Sequence, residues 1–302
     1  MEKKTLTIFT PAYNRAHTIG RTYASLCRQT SKDFCWLVVD DGSVDNTKEL
    51  VAKWIEEDKI PIRYIYQQNQ GMHGAHNTAY RNIDTELNTC IDSDDYMPDD
   101  AVEKIISFWE KYGSEKYAGI VGLDKTHNGG IIGTRFPLKM RETTLQGFYE
   151  HGGSGDKKLV YRTDVINEYP EYPIFEGEKY VGLAYKYMLI DQDYPLLAIN
   201  EPLVIVDYQD DGSSINMYKQ YWNNPKGFVF FRKTEMVVTH SLKRRFIVCV
   251  HYVCSSIISK NRSFVKESPI KWMTVLAVPF GYLLYRIVKG KVAKNKKMQK
   301  PI

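Results

Sequence analysis

Three carboxylates that could bind a metal ion lie within four residues, at Asp92, Asp94 and Asp95. They follow an apolar, β-prone run over 87–91, and a helical pattern begins near Asp99. They are therefore expected at the carboxyl end of a strand, where open α/β sheets bind their ligands. Three anions so close repel one another, so at least one pKa should rise unless a cation lies among them. Carboxylate oxygens suit Mg²⁺ or Mn²⁺, which in turn suit a phosphate-bearing ligand.

Four β-α units in the first hundred residues would position this turn. Apolar strands are expected at 6–10, 34–39, 62–66 and 87–91, each followed by a polar turn and a helical pattern. This order predicts an α/β fold with a mainly parallel sheet. Each polar turn alone, including an isolated D-x-D, would be read as an ordinary turn or helix cap. Four turns at the same edge of a sheet favour one shared ligand.

The turns differ in the chemistry that they offer. The first turn, 11–15, precedes a helix, and the backbone N–H groups there suit an anion. Asp41 in the second turn can accept a hydrogen bond from the N–H edge of a nucleobase. The sequence contains neither G-x-G-x-x-G nor G-x-x-x-x-G-K-[ST], so the two common phosphate loops are excluded. A carboxylate-bound metal ion is the remaining obvious way to hold phosphates.

The four motifs together resemble family 2 glycosyltransferases with the GT-A fold. The resemblance covers about the first hundred residues densely and in order, and its residues are Phe9-Thr10-Pro11-Ala12-Tyr13-Asn14-Arg15, Val38-Val39-Asp40-Asp41-Gly42-Ser43, Gln68-Asn69-Gln70-Gly71 with Asn77, and Ile91-Asp92-Ser93-Asp94-Asp95. It implies a Rossmann-like mixed sheet. It also implies an inverting transfer from a nucleotide-sugar, usually a UDP-sugar, assisted by Mg²⁺ or Mn²⁺.

The resemblance also assigns roles by position. Asp94 would bind the metal ion, and Asp92 would contact the metal ion or the ribose. The implied donor-nucleotide residues are Pro11, Tyr13, Asn14, Asp41, Asn69, Gly71, Asn77 and Asp92. One position departs from the pattern, because many relatives have Arg before the third-motif Asn where this chain has His76.

An inverting displacement needs a base that takes the proton of the acceptor hydroxyl. Glu178 is the first candidate and Glu176 the second, within a Glu-Gly-x-Lys-Tyr run similar to one that precedes the acidic pair of the family. Val181-Gly182 stand where that pair often is. A helix is expected over 178–190, so the alternative for Glu178 is a first-turn residue that favours the helix dipole.

The remaining body contains two expected strands, at 195–200 and 202–206, and a polar loop over 207–214. The loop resembles the late Tyr-x-x-x-x-Ser loop of the family, which can cover the donor phosphates, although an ordinary surface loop fits equally. These features predict a catalytic domain at 1–215 and a helical, basic region at 216–302. From Arg232 onward the chain has 16 Lys and Arg against two acidic residues, a net charge of +14 against −9 for the rest.

The basic region suits an anionic surface, either a lipid leaflet or nucleic acid. Its uncharged run over 272–285 has 14 residues, and spanning a bilayer takes about 20. Aromatic ends and a lysine-rich tail favour an interfacial helix on an anionic membrane. Packing on the catalytic domain or a dimer contact remains the alternative, so a homo-oligomer stays open.

Five cysteines without zinc spacing indicate reduced thiols, and the N-terminus has no apolar signal region. A peripheral or monotopic position at the cytoplasmic face of a membrane is therefore expected. The predicted activity is sugar transfer to a glycan or lipid-linked acceptor in cell-surface polysaccharide synthesis. One alternative is a sugar-phosphate nucleotidyltransferase, which would want a Gly-rich basic loop in place of 11–15. The other is a nucleic-acid-binding protein, which the acidic body disfavours, so no nucleic-acid partner is expected.

Overall fold

The computed structural model describes residues 4–207 and 217–298, which form parts of two compact units. The first unit contains 4–171 and 189–207, and the second contains 172–188 and 217–298. The boundary expected near residue 215 lies outside the described residues, so the limits 1–215 and 216–302 stay a prediction. The segment 172–188 belongs with the C-terminal helices, which the sequence did not indicate.

The strands of residues 4–207 all belong to one sheet. They are β1 (Leu6–Ala12), β2 (Phe34–Asp40), β3 (Ile62–Tyr66), β4 (Leu87–Cys90), β5 (Gly119–Thr126), β6 (Glu142–Thr143), β7 (Lys157–Arg162) and β8 (Leu196–Val206). The helices up to residue 190 are α1 (Ile19–Cys27), α2 (Thr47–Glu57), α3 (Met72–Asn82), α4 (Ala101–Tyr112), α5 (Leu145–Glu150), α6 (Thr163–Glu168) and α7 (Ala184–Ile190).

The strand order is β3-β2-β1-β4-β7-β5-β8-β6. Strand β1 pairs in parallel with β2 and β4, and β2 pairs in parallel with β3. Strand β7 runs antiparallel between β4 and β5, and β6 runs antiparallel to β8. The expected α/β fold with a mainly parallel, mixed sheet is confirmed.

The first strands form because their residues are apolar on both faces. Every residue of β1 and β2 is buried, as expected for parallel strands covered by helices on both sides. Trp36 of β2, Tyr23 of α1 and Trp54 of α2 stack, with ring centroids 4.4–6.1 Å apart. Such aromatic contacts bury large apolar surfaces and fix the two helices on the sheet.

Two sequence predictions about elements were wrong. The strands expected at 195–200 and 202–206 are one strand, β8, and shifts in register with β5 accommodate Pro202. The helix expected from Glu178 begins at Ala184 instead. Gly177 has φ of +77°, a backbone conformation outside the α-helix, so the chain turns there before the helix starts.

The second unit is helical. Its C-terminal helices are α8 (Met217–Asn223), α9 (Pro225–Val238), α10 (Leu242–Ile258), α11 (Phe264–Glu267) and α12 (Lys271–Met298). Helices α10 and α12 pack closely at Gly281, where an added Cβ would lie 2.5 Å from the Val253 side chain. Met273 and Ala277 of α12 are buried in the same core. Across residues 4–207 and 217–298, no helix is both long enough and apolar enough to span a bilayer.

Candidate active site

The four predicted turns lie at one edge of the sheet, held together by hydrogen bonds between successive strand ends. The N–H of Asp41 donates to the carbonyl of Ala12 at 2.8 Å, and that of Ile91 donates to the carbonyl of Phe9 at 2.9 Å. The turns after β1, β2 and β4 are thereby fixed to their neighbours, as the parallel register requires.

Asn14 links the first turn to the second. Its Oδ1 accepts from the N–H of Val44 at 2.8 Å, and its own N–H donates to Ser43 Oγ at 2.9 Å. Asn14 has φ of +54°, a left-handed conformation that Asn tolerates better than most residues. Pro11 is buried within β1, whereas the Tyr13 side chain is 49% exposed. Tyr13 is therefore the aromatic surface that this turn presents to solvent.

Asp41 organises the third turn. Its Oδ1 accepts from Gln67 Nε2 at 2.7 Å and from the N–H of Gln70 at 2.8 Å, and its Oδ2 accepts from the N–H of Gly71 at 2.8 Å. Gly71 has φ of +83° and directly precedes α3. Asn69 lies against Gly42, where an added Cβ would be 2.9 Å from the Asn69 nitrogen. The carboxylate predicted to meet the nucleoside therefore also shapes the turn beside it.

The acidic turn is anchored to α1. Thr22 Oγ1 donates to the carbonyl of Asp95 at 2.7 Å, and the Arg21 guanidinium donates to the carbonyl of Asp94 at 3.3 Å. Asp95 is buried, and its Oδ1 accepts from the N–H of Asp207 at 3.1 Å. Burial, with the neighbouring charge of Asp92, raises the pKa of Asp95 to about 7. The rise that the sequence predicted for this group of carboxylates is thus present.

The two proposed metal ligands differ from Asp95 because both Asp92 and Asp94 are only half-buried. Cys90 Sγ lies 3.8 Å from Asp92 Oδ1 as a weak donor. Among the described residues, no group of three or more His, Cys, Asp or Glu side chains is arranged to hold a metal ion.

His76 and Asn77 lie in α3 and are buried. The His76 ring makes an edge contact with Phe9, with centroids 5.0 Å apart, and its Nδ1 lies 3.2 Å from the Tyr80 hydroxyl. Its Nε2 lies 3.7 Å from Cys90 Sγ. The histidine that replaces the usual arginine therefore packs behind the β1 and β4 strand ends.

Sequence reasoning missed two charged contacts at this edge. Arg21 forms an ion pair with Asp207, the last residue before the undescribed segment. Lys158 Nζ donates to the carbonyl of Cys90, at the end of β4, at 2.7 Å. Both contacts join residues far apart in the sequence, so no local pattern indicated them. The one available signal was that Lys157 and Lys158, adjacent at the start of β7, must face opposite sides of the sheet.

Glu178 belongs to the second unit, where it binds the first turn of α9. Its Oε1 accepts from the N–H of Lys226 at 3.0 Å, and its Oε2 accepts from the N–H of Gly227 at 2.9 Å. These are N–H groups that a helix cannot satisfy itself. A Cβ at Gly227 would lie 2.0 Å from the Tyr180 carbonyl, so glycine is required for this approach. The alternative role considered for Glu178 was a favourable interaction with the dipole of its own helix. Glu178 does lie at a helix N-terminus, but the helix is α9, which begins 47 residues later.

Glu176, the second candidate base, is exposed in the turn before Glu178. The predicted late loop begins at Asp207, and its residues 208–214 lie outside the described residues. The assignments of the base, the donor residues and this loop stay predictions.

The fold and the acidic turn define a class of enzyme. A mixed α/β sheet with four polar turns at its strand ends is the architecture expected for a GT-A glycosyltransferase. A family model described as "Glycosyl transferase family 2" matches residues 7–169, more than half of the chain. The chain therefore belongs to family 2 of the glycosyltransferases, which decides against the two alternative functions weighed from the sequence.

A curated relative is "UDP-Glc:alpha-D-GlcNAc-diphosphoundecaprenol beta-1,3-glucosyltransferase WfgD" of Escherichia coli, 27% identical over 219 residues, which are 72% of this chain and 82% of that protein. Coverage of relatives varies widely. This chain spans 16% and 52% of the length of two other curated glycosyltransferases, which match over 114 and 168 residues.

Solved structures share the fold at low sequence identity. S. aureus TarS 1–349 in complex with UDP-GlcNAc has a TM-score of 0.61 at 18% identity, covering 90% of this chain and 79% of that one. The mannosyltransferase PcManGT from Pyrobaculum calidifontis, in complex with GDP-Man and Mn²⁺, has a TM-score of 0.53 at 14% identity, covering 99% and 81%. The GT-A fold of this chain is confirmed.

Proposed function

We propose that this glycosyltransferase takes a sugar from a nucleotide-sugar, preferably a UDP-sugar, and transfers it with inversion to a glycan or lipid-linked acceptor of cell-surface polysaccharide. The observation that carries the proposal is the shared edge of the four turns, which holds half-buried Asp92 and Asp94 at the same edge of the sheet as the turn that Asp41 organises. The UDP-sugar in the name of the E. coli relative and the ligand of TarS support the choice of nucleotide.

The turns would divide the donor between them. Tyr13 offers an exposed aromatic face, and Asn14 holds the first and second turns together. Asp41 keeps the third turn in the shape that brings Asn69 and Gly71 to the same edge. The nucleoside would lie over these turns, and its diphosphate would lie next to the acidic turn. This arrangement follows the rule that α/β sheets bind ligands at their carboxyl ends.

The acidic turn fits a divalent cation. Burial and then the neighbouring charge of Asp92 raise the pKa of Asp95, and a cation among these carboxylates would offset their mutual repulsion. Mg²⁺ is commonly held by one or two carboxylates together with substrate phosphates, so Asp94 with Asp92 would suffice. When bound, Mg²⁺ or Mn²⁺ would supply Lewis acidity to the diphosphate of the leaving nucleotide. The Mn²⁺ in the mannosyltransferase complex supports the choice of cofactor.

The contacts of Glu178 reverse the order of preference between the two candidate bases, Glu178 and Glu176. Both oxygens of Glu178 already accept backbone N–H groups of α9, which leaves less room for the proton of an acceptor hydroxyl. Glu176 is exposed in the same turn, so it becomes the preferred base, with Glu178 as the second candidate. In either case a carboxylate removes the proton while the acceptor oxygen attacks the anomeric carbon.

A screen of nucleotide-sugars tests this function. The purified chain is incubated with UDP-glucose, UDP-GlcNAc and GDP-mannose, with Mn²⁺, Mg²⁺ or excess chelator, and both hydrolysis and thermal stabilisation are measured. We expect one UDP-sugar to raise the melting temperature and to be hydrolysed slowly only with metal. Equal behaviour in chelator would remove the metal from the proposal, and no response to any donor would remove the donor assignment.

The acceptor is proposed to be lipid-linked because the E. coli relative is named for a diphosphoundecaprenol acceptor. The exposed surface of helix α12 supports a membrane location for the enzyme. One of its faces is buried in the second unit, at positions such as Met273 and Ala277. The other face is apolar and exposed, with Trp272, Leu276, Phe280, Leu283 and Ile287 between 46% and 63% exposed.

Cations flank this exposed face. Lys271, Arg286, Lys289 and Lys291 are exposed on the same helix. The basic run 243–245 contributes less than the sequence suggests, because Arg244 pairs with buried Glu235 and Arg245 donates to the carbonyl of Thr239. An apolar helix face bordered by Lys and Arg is typical of an interfacial helix on anionic lipid. We therefore place α12 at the inner face of a membrane, with a second copy of the chain as the alternative occupant.

Vesicle co-sedimentation tests this location with a double substitution, Phe280→Ser with Leu283→Ser. We expect wild-type chain to bind anionic vesicles more tightly than neutral ones and the double variant to lose most of that binding. Each Lys or Arg near the surface contributes about 1 kcal/mol at low salt. The control is Leu138→Ser, which removes a 98% exposed leucine from the first unit. A dimer that the double variant abolishes, without vesicle binding, would assign the face to a second copy.

A further inference from the structure

Strand β7 begins with two lysines whose surroundings differ. Neighbouring residues in a strand face opposite sides of the sheet. Lys157 Nζ donates to four main-chain carbonyls at 2.9–3.3 Å, those of Ile132, Ser154, Gly155 and Asp156. An ammonium group has three hydrogens, so the donors of Lys157 are fully used within the fold.

Lys158 makes one hydrogen bond within the described chain, to the carbonyl of Cys90. Burial alone would lower the pKa of Lys158, but the carboxylates of Asp124, Asp92 and Asp95 outweigh burial and raise it. The ammonium group is therefore charged at neutral pH, yet none of the described carboxylates forms an ion pair with it. Two of its three N–H donors remain for a ligand or water.

Asp124 of β5 is the complementary group. It is 5% exposed, and its Oδ1 is buried without a hydrogen-bond partner within residues 4–207 and 217–298. Burial, opposed by the charge of Lys158, raises the pKa of Asp124 to about 6. Buried carboxylates without partners are rare in folded proteins. On β5, Gly122 pairs with Lys158 of β7, so Asp124, two residues further along the same face of β5, lies diagonally across from Lys158. The Lys158 ammonium group in turn reaches the end of β4, where the acidic turn begins.

We propose that Lys158 and Asp124 bind a hydroxyl group of the donor sugar and thereby contribute to donor specificity. The inference rests on the proposed function, since it needs a nucleotide-sugar at this edge. A hydroxyl can accept from the ammonium group of Lys158 and donate to the carboxylate of Asp124 at the same time. The ligand hydroxyl would then lie between the two charged groups.

Other ligands fit this pair less well. Three carboxylates, Asp92, Asp95 and Asp124, would repel a phosphate placed against Lys158, and Lys158 would repel a second metal ion. A neutral group that both donates and accepts satisfies both side chains. A site built to bind a hydroxyl group rejects ligands that lack it, because its polar groups are then left unpaired.

The test compares nucleotide-sugar affinity with nucleoside diphosphate affinity by calorimetry in the presence of Mn²⁺. The probes are UDP-glucose, UDP-GlcNAc and GDP-mannose against UDP and GDP. Asp124→Asn and Lys158→Met are expected to weaken the binding of the preferred nucleotide-sugar by about tenfold or more. Affinity for the matching diphosphate should stay within about twofold, which also shows that each variant is folded. Lys158→Gln provides a second variant if Lys158→Met does not fold.

Matched controls are Asp156→Asn, an exposed carboxylate near β7, and Lys125→Met, the lysine next to Asp124 on β5. Both should leave the ratio of the two affinities unchanged. Equal losses of nucleotide-sugar and diphosphate binding would overturn the inference, because the residues would then only position the acidic turn. Unchanged binding in both variants would also overturn it. Failure of the wild-type chain to bind any probe would instead refute the proposed function and this inference together.

Discussion

Carboxylates serve different purposes at the sheet edge and in the helical unit. Glu178 places both oxygens on backbone N–H groups of α9, and it is buried. Asp92 and Asp94 remain half-buried in a turn where burial, and then the like charge of Asp92, raise the pKa of Asp95. A carboxylate saturated by main-chain donors holds structure. A crowded, partly exposed group of carboxylates costs stability unless a ligand offsets the charge.

The largest predicted effect is the loss of transfer activity when Asp94, at the sheet edge, is substituted. Asp94→Asn should lower transfer by roughly 100-fold to 1,000-fold, because an amide cannot replace the charge that would hold a metal ion against the leaving diphosphate. Turnover of the preferred nucleotide-sugar with Mn²⁺ measures this. The melting temperature should be unchanged or higher, since one repulsive charge is removed.

Asp58→Asn is the matched control, because Asp58 is exposed at the end of α2 with φ of +48°, which Asn tolerates. It should change neither activity nor stability. Full activity of Asp94→Asn would show that Asp94 has no catalytic role, and the proposed difference in function between Asp94 and Glu178 would be refuted.

In the helical unit the larger effect should be on stability. Glu178→Gln places an amide NH₂ group against one of two backbone N–H donors, so the free energy of unfolding should fall by about 1–3 kcal/mol. Urea denaturation measures this. Glu176→Gln should leave stability within about 0.5 kcal/mol, because Glu176 is exposed, and lower turnover by about 100-fold.

The opposite result would reverse the base assignment. If Glu178→Gln unfolds like the wild type and loses turnover with donor affinity unchanged, Glu178 is the base. Its hydrogen bonds to α9 would then position a catalytic group rather than only hold a helix.

Smaller effects on stability and on UDP affinity are expected at Asp41, because this carboxylate holds the third turn and is also proposed to contact the nucleoside. Asp41→Asn keeps one side-chain oxygen in place of two, so either the Gln70 or the Gly71 N–H group loses its acceptor and the third turn should loosen. We expect a loss of about 1 kcal/mol in stability and a similar loss in UDP affinity. Calorimetry with UDP, with the melting temperature measured alongside, separates the two. Lost stability with unchanged UDP affinity would limit Asp41 to a structural role.

The sequence predicted the sheet edge well because its signals are local. Each apolar strand ends at a polar turn, and the strand bounds differ from those expected by two residues at most up to Cys90. A raised pKa in this turn was predicted from three carboxylates in four residues, whereas the largest cause at Asp95 is burial, with the charge of Asp92 second. The family resemblance then supplied the order of the turns and the class of enzyme.

The contacts that the sequence could not indicate join distant positions. Glu178 binds a helix 47 residues later, and Lys158 binds the strand end at Cys90, 68 residues earlier. Charge alone fits both a catalytic role and a structural role for Glu178, and only the partner atoms distinguish the two. Pattern also failed at β8, where Pro202 suggested a break that a shift in register accommodates.

The two units should respond to pH in opposite directions, which gives the smallest predicted effect. In the first unit, burial raises the pKa of Asp95 to about 7 and that of Asp191 to about 6. The folded state therefore holds protons that the unfolded state releases, so stability falls as pH rises from about 4 to about 7. In the second unit, burial and the charge of Arg232 lower the pKa of His251 to about 4.

His251 therefore stays neutral in the folded state at a pH where the unfolded state binds a proton. Its contribution is fully present above about 6.5 and is lost as pH falls toward 4. His251→Asn should keep an acceptor near the Tyr221 hydroxyl, which lies 3.3 Å from His251 Nδ1, while removing the titration. We expect its melting temperature to drop less than that of the wild type, by a few degrees, between pH 7 and pH 5. Melting curves of both proteins at half-unit intervals measure this, and parallel curves would mean that His251 is not the group that makes the helical unit sensitive to acid.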